Sequence, residues 1–253
     1  MCATCGCGPG GSRVEDAGRH GAVSDHSHPH PKKDPEHRDR THTLKLEERV
    51  LAKNDQLANR TRTWLAEKGI CAVNLMSSPG SGKTSLLERT VREAQLGRRI
   101  SVIEGDQETT FDAQRIRDAG ARAIQINTGS GCHLDAAMVQ RGLEALEPEA
   151  ESIVVLENVG NLVCPALFDL GERAKVVIIS VTEGDDKPLK YPHMFAAADL
   201  VLVNKIDLLP YVDFDLNRLA TDARHLNPDL RILPISVRDG SNLQDWYDWL
   251  GTV

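Results

Sequence analysis

Cys71-Ala72-Val73-Asn74-Leu75-Met76-Ser77-Ser78-Pro79-Gly80-Ser81-Gly82-Lys83-Thr84-Ser85-Leu86-Leu87 is the stretch that decides the fold. A short apolar run ends in a serine- and glycine-rich turn, and a helical pattern begins at Thr84. The turn meets the phosphate-loop template G-x-x-x-x-G-K-S/T at every position but the first, where Ser77 stands for glycine. Gly80 and Gly82 let backbone amides turn inward around a β-phosphate, and Ser81 and Ser85 belong to the same cradle. Lys83 offers a mobile cation to the β- and γ-phosphates, and the Thr84 hydroxyl is placed to hold Mg²⁺. The amino terminus of the new helix adds the positive end of its dipole.

Downstream, β-prone runs alternate with helical ones. Strands are expected at Cys71–Met76, Ile100–Glu104, Ala123–Ile126, Ile153–Leu156, Lys175–Val181, Leu200–Val203 and Ile232–Ile235. Helical patterns fall at Thr84–Ala94, Thr109–Ala119, Leu134–Leu146, Leu216–Leu226 and Leu243–Leu250. Continuous apolar strands separated by helices predict an α/β fold with a mostly parallel, doubly wound sheet covered on both faces. Leu44, Leu51, Leu57, Ala58 and Leu65 add an amphipathic helix ahead of it, running through Ala66.

A second motif selects the base. Leu200-Val201-Leu202-Val203 runs into Asn204-Lys205-Ile206-Asp207, an N-K-x-D sequence. The Asp207 carboxylate suits the N1–H and 2-amino donors of guanine, whereas adenine presents an acceptor at N1 and no 2-amino group. Ser236 and Val237 follow the last strand, where a loop would back the base. The pairing predicts GTP and GDP as ligands rather than adenine nucleotides.

Two further segments end on carboxylates. Asp106, in Glu104-Gly105-Asp106-Gln107-Glu108-Thr109, leaves the second strand where a Mg²⁺ shell needs oxygen. Glu157 and Gly160, in Glu157-Asn158-Val159-Gly160-Asn161, form an element suited to reading a γ-phosphate. With Lys83 and Thr84 these two carboxylates are the expected catalytic set, and no residue stands out as a general base. Phosphoryl transfer rests mainly on positioning and charge neutralisation, so slow GTP hydrolysis is expected without one. Cys132 and His133 follow a glycine-rich turn, and Cys164 lies beyond Gly160. Two thiolates and an imidazole suit Ni²⁺ or Zn²⁺, and three ligands leave a position open or to be filled by a second subunit. Cys71, inside a strand, reads as core.

Residues 1–43 differ from 44–253. The first segment holds few large apolar side chains and is expected to be a disordered arm. Cys2, Cys5 and Cys7 crowd three thiols into its start, a set that with an amine nitrogen suits planar Ni²⁺ coordination. His20, His26, His28, His30, His37 and His42 follow, as a weak metal store or a solvated tail. A net charge of −7 over 253 residues argues against nucleic-acid and anionic-membrane binding. No secretory signal is visible and no apolar run approaches the ~20 residues a membrane helix needs, so a cytoplasmic location is expected.

Taken together, the residues resemble one family, the HypB-type GTPase of NiFe-hydrogenase maturation. The resemblance is carried by C-x-x-C-G-C and, over 44–253, by S-S-P-G-S-G-K-T, V-I-E-G-D-Q-E-T, N-T-G-S-G-C-H-L-D, L-E-N-V-G-N-L-V-C-P, V-T-E-G-D-D-K-P-L-K-Y-P and N-K-I-D-L-L-P. It implies a SIMIBI-like nucleotide-binding domain that helps insert nickel into the hydrogenase. It also implies a high-affinity nickel site at Cys2, Cys5 and Cys7, and a second nickel or zinc site at Cys132, His133 and Cys164 near a GTP- and metal-dependent homodimer interface. The implied partners are a zinc-containing HypA-type protein and the hydrogenase large-subunit precursor. Ser78 departs from many dimerising relatives, which carry a lysine acting in trans at that position. No such mechanism is carried over.

Overall fold

The computed structural model describes residues 35–106, 111–129 and 131–253, with side chains from residue 48 onward. By its contacts the chain divides into two units, Met1–Ala52 and Lys53–Val253. Of the first, only the opening turns of helix α1 (Pro35–Glu67) are described. That helix begins upstream of Leu44 and ends one residue past the expected Ala66.

All seven expected strands form: β1 Cys71–Ser77, β2 Ile100–Asp106, β3 Arg122–Asn127, β4 Ile153–Gly160, β5 Ala174–Ser180, β6 Leu200–Asn204 and β7 Arg231–Pro234. They make one sheet in the order β3-β2-β4-β1-β5-β6-β7, and every pairing is parallel. The expectation of a mostly parallel sheet is met in full. The helices are α2 Lys83–Glu93, α3 Phe111–Asp118, α4 Ala136–Leu146, α8 Leu216–Leu226 and α9 Leu243–Thr252, with short helical turns α5 Cys164–Leu167, α6 Lys187–Lys190 and α7 Pro192–Ala197. The three short turns have too few residues for a hydrophobic period to announce them.

Period-two alternation deals the strand side chains to two cores. Val73 and Leu75 of β1, Val176 and Ile178 of β5, and Leu200 and Leu202 of β6 join Leu86, Leu87 and Trp246 on one face. Met76, Val177, Ile179, Val201 and Val203 join Met194, Phe195 and Leu219 on the other. The buried Trp246 indole satisfies its N–H on Thr90 Oγ1 at 2.9 Å, tying α9 to α2. Cys71 is buried in the first of these cores, as expected, and burial raises its thiol pKa.

From β1 the chain moves outward through β2 and β3, returns to β4, then crosses β1 to β5, β6 and β7. The reversal puts a topological switch point at the carboxyl end of β1, where open parallel sheets form their ligand crevices. That end is the serine- and glycine-rich turn. Among the described residues, no helix is long and apolar enough to cross a membrane.

Candidate functional site

The turn from β1 to α2 opens on a cleft of about 510 Å³ lined by Gly80, Gly82, Lys83, Thr84 and Ser85 on one side, with Glu104, Asp106, Glu157 and Gly160 opposite. Gly80 and Gly82 both take positive φ, 74° and 104°. At Gly82 a side chain would also collide with Asn204, whose Nδ2 lies 2.5 Å from the position of an added Cβ. Lys83 is largely buried, and its Nζ donates to Ser77 Oγ at 2.7 Å. The serine that departs from the glycine template thus holds the lysine. Burial lowers the Lys83 pKa, opposed first by the nearby Glu157 carboxylate. Ser78, in the next position, donates its hydroxyl to Glu183, which is in turn 3.6 Å from Lys187.

Thr84 Oγ1 donates to Glu157 Oε1 at 2.6 Å and lies 3.1 Å from Asp112 Oδ2. The sequence reading missed Asp112, which enters from the first turn of α3 and is not part of a recognisable string. Glu104 and Glu157 face each other across the β2–β4 pairing and are both 3% exposed. Among the described residues nothing hydrogen-bonds the second oxygen, Oε2, of either one. Burial, with Glu157 and Asp112 adding repulsion, pushes the Glu104 pKa up to about 8, against help from the Ala113 amide. Burial raises Glu157 as well, although Lys83 and the Thr84 hydroxyl pull the other way. Two orphaned carboxyl oxygens beside the Thr84 hydroxyl form a hard, oxygen-rich set that suits Mg²⁺, with the Lys83 ammonium next to it for phosphate; a bound cation would favour the ionised carboxylates. Gln107, Glu108, Thr109 and Ser130 lie outside the described residues.

At the far end of the cradle the residues expected to read the base are interlocked. Asn204 donates to the Ser81 carbonyl at 2.8 Å and accepts from the amides of Lys205 and Val237 at 2.7 and 3.1 Å. Lys205, at a positive φ of 65°, donates to the Gly80 carbonyl at 2.8 Å. Asp207 Oδ1 accepts from Ser236 Oγ at 2.8 Å. The N-K-x-D string and the Ser236-Val237 loop, 29 to 33 residues apart, thus meet around the phosphate loop as one unit.

Cys132, His133 and Cys164 also converge, with donor atoms all within 4.8 Å of one another. Cys132 Sγ lies 3.0 Å from Cys164 Sγ and 3.6 Å from His133 Nδ1. Phe168 covers the imidazole, ring centroids 4.0 Å apart, and burial lowers the His133 pKa against the pull of Asp135. A soft cation binds a neutral imidazole through nitrogen and the two cysteines as thiolates, releasing their protons. Cys2, Cys5 and Cys7 lie outside the described residues.

Comparison with known proteins points the same way. The family model described as "CobW/HypB/UreG, nucleotide-binding domain" matches residues 71–234. A hydrogenase maturation factor HypB from Rhizobium leguminosarum bv. viciae is 56% identical over 207 residues, 82% of this chain and 69% of that protein. A crystal structure of HypB from Helicobacter pylori in complex with nickel superposes with a TM-score of 0.74 at 39% identity, covering 78% of this chain and 93% of that one. HypB from Archaeoglobus fulgidus superposes equally, with a TM-score of 0.74 at 41% identity over 79% of this chain and 98% of that one.

Proposed function

The chain belongs to the HypB family of hydrogenase maturation factors, and from that premise we propose that it is a GTP-hydrolysing nickel metallochaperone serving the hydrogenase large-subunit precursor. One observation carries the reading: β4 supplies Glu157 to the nucleotide cleft and leads, seven residues on, to Cys164 of the thiol cluster. A phosphate sensor and a metal cluster on the two ends of one short segment are what a nucleotide-controlled metal carrier requires.

In this reading GTP is the substrate. Gly80, Ser81, Gly82 and Ser85 cradle its phosphates, Lys83 neutralises them, and Asn204, Lys205, Asp207, Ser236 and Val237 select guanine. Thr84, Asp106 and Glu157 hold Mg²⁺, which when bound supplies charge neutralisation on the transferring phosphoryl group. Gly160 follows Glu157 closely against the phosphate loop: a Cβ there would fall 3.1 Å from Pro79 Cα. Nickel is the cargo, held by Cys132, His133 and Cys164, a set that also accepts Zn²⁺. Cys2, Cys5 and Cys7 form the tighter nickel site on an amino-terminal arm, residues 1–43, joined to the GTPase domain at 44–253. With three ligands in each chain, the cluster is completed in a homodimer that depends on GTP and metal. A HypA-type protein is the companion in delivery, and the process is cytoplasmic.

The test is Lys83→Ala. The proposal predicts that hydrolysis is lost and that nickel insertion into the precursor fails with it, while nickel binding to the thiols persists. Insertion that survives without hydrolysis would make the protein a nickel store and overturn the switch.

A further inference from the structure

Between the cleft and the thiol cluster lies a junction built around Leu134. This residue directly follows His133 and is fully buried. Its amide donates to Asn158 Oδ1 at 3.0 Å, and Asn158 is the residue after Glu157. Its side chain sits on Gly105, the residue between Glu104 and Asp106. A Cβ added to Gly105 would fall 2.7 Å from Leu134 Cγ and 2.8 Å from Cδ2. Asn158 is itself pinned: its Nδ2 donates to Asn74 Oδ1 at 3.2 Å, and the Asn74 amide donates to buried Glu172 at 3.1 Å. From the same β4 end, Asn161 Nδ2 donates to the Cys132 carbonyl at 3.4 Å. The Cys132-His133 pair is therefore held on both sides by side chains that leave β4.

We propose that Leu134 is a positioning residue for the Cys132–His133–Cys164 cluster. Seated on Gly105 and hung from Asn158, it carries displacements at the cleft ends of β2 and β4 to the two ligands beside it. The inference deepens the nickel-carrier reading and rests on it. Thr84 Oγ1 donates to Glu157, so a cation taken up on the lone pairs of that hydroxyl would draw on the Glu157 carboxylate as well and pull at the residue that precedes Asn158. Close-packed interiors have little slack and transmit such shifts. With Gly105 already in van der Waals contact, Leu134 follows the strands instead of sliding past them. Leu134 offers no donor atom to a metal and is not among the residues that line the cleft, so its effect is on placement alone.

A size swap tests this in the full-length chain carrying Cys2→Ala, Cys5→Ala and Cys7→Ala, which leaves the cluster as the tight thiol site. Co²⁺ is titrated by its thiolate absorption without nucleotide, with GDP and with a non-hydrolysable GTP analogue. Gly105→Ala drives a methyl into Leu134, and Co²⁺ binding without nucleotide is expected to weaken about tenfold or more, with the GDP-to-analogue ratio collapsing to about one. Adding Leu134→Ala makes room, and both quantities return to within about threefold of the parent. Should Gly105→Ala fail to unfold cooperatively, Leu134→Ala alone is read instead and is expected to weaken Co²⁺ in the same way. Unchanged affinity and ratio in the single variant overturn the proposal, and so does a loss that the second substitution fails to repair. A parent that binds Co²⁺ equally in both nucleotide states defeats the carrier reading's nucleotide control, while the nucleotide-free arm still decides the role of Leu134.

Discussion

Two carboxylates at the cleft show how placement sets what one side chain does. Asp207 is oriented by the Ser236 hydroxyl before any base arrives, so its acceptor character is fixed. Asp207→Asn replaces an acceptor by an amide that opposes the N1–H and 2-amino donors of guanine. The GTP-over-XTP affinity ratio is expected to fall by about a hundredfold or more in competition binding; an unchanged ratio would contradict the assignment. Glu104 is governed by burial instead. In the folded chain it keeps its proton to about pH 8, whereas the unfolded carboxyl releases it near its ordinary value of 4.5. The unfolded state therefore binds fewer protons across that window, and stability falls as pH rises through it. Glu104→Gln carries no such penalty. Measured without nucleotide or divalent ion, its gain in melting temperature over the parent should grow by a few degrees between about pH 5 and about pH 8. A pH-independent difference would refute the account. Lys83, Thr84 and Asp207 were readable because each sits in a contiguous string whose spacing has a chemical meaning. Asp112 and Leu134 were not, because their partners stand 28 residues and one strand away, respectively.

At the scale of elements, α1 shows what periodicity sees and what it overlooks. Its apolar spacing predicted a helix, and Ala58 and Leu65 are buried as that spacing requires. The same helix also buries Asn54, whose Nδ2 donates to the Asp169 carbonyl at 2.7 Å while its Oδ1 accepts from the Ala136 amide at 2.9 Å. Asn54 thereby shares with Asp135, which accepts from Met138 at 2.7 Å, the satisfaction of the amino terminus of α4. Asn54→Ala leaves a buried amide and a part-buried carbonyl without their side-chain partner and is expected to cost about 1–3 kcal/mol in urea unfolding. Arg62 pairs with Asp169 at 2.6 Å from a half-exposed position, and Arg62→Ala should cost under about 1 kcal/mol. Equal effects from the two substitutions would show that the cap carries nothing. A polar residue satisfied by remote backbone leaves no hydrophobic signature, which is why Asn54 is invisible to sequence patterning.

For the whole molecule, continuous apolar strands foretold a parallel sheet, but not the order β3-β2-β4-β1-β5-β6-β7, which depends on pairings between distant segments. That order is what brings the two chemistries together. It sets β4 between β1 and β2, so one strand end bonds Thr84 through Glu157 and another two residues grip the cluster loop through Asn158 and Asn161. The two strings that hold Cys132-His133 and Glu157 with Cys164 were each legible; their junction through Gly105 and Leu134 emerges only when the sheet is assembled. The account's central claim is that the third phosphate and the soft-metal cluster share free energy. Nickel is titrated into the full-length chain carrying Cys2→Ala, Cys5→Ala and Cys7→Ala, with GDP and with a non-hydrolysable GTP analogue, and the two nucleotides are titrated with and without nickel. Coupling predicts nickel affinities differing by about fivefold or more, with the same factor in the nucleotide affinities because linkage is reciprocal. Identical nickel affinities in the two nucleotide states would contradict it.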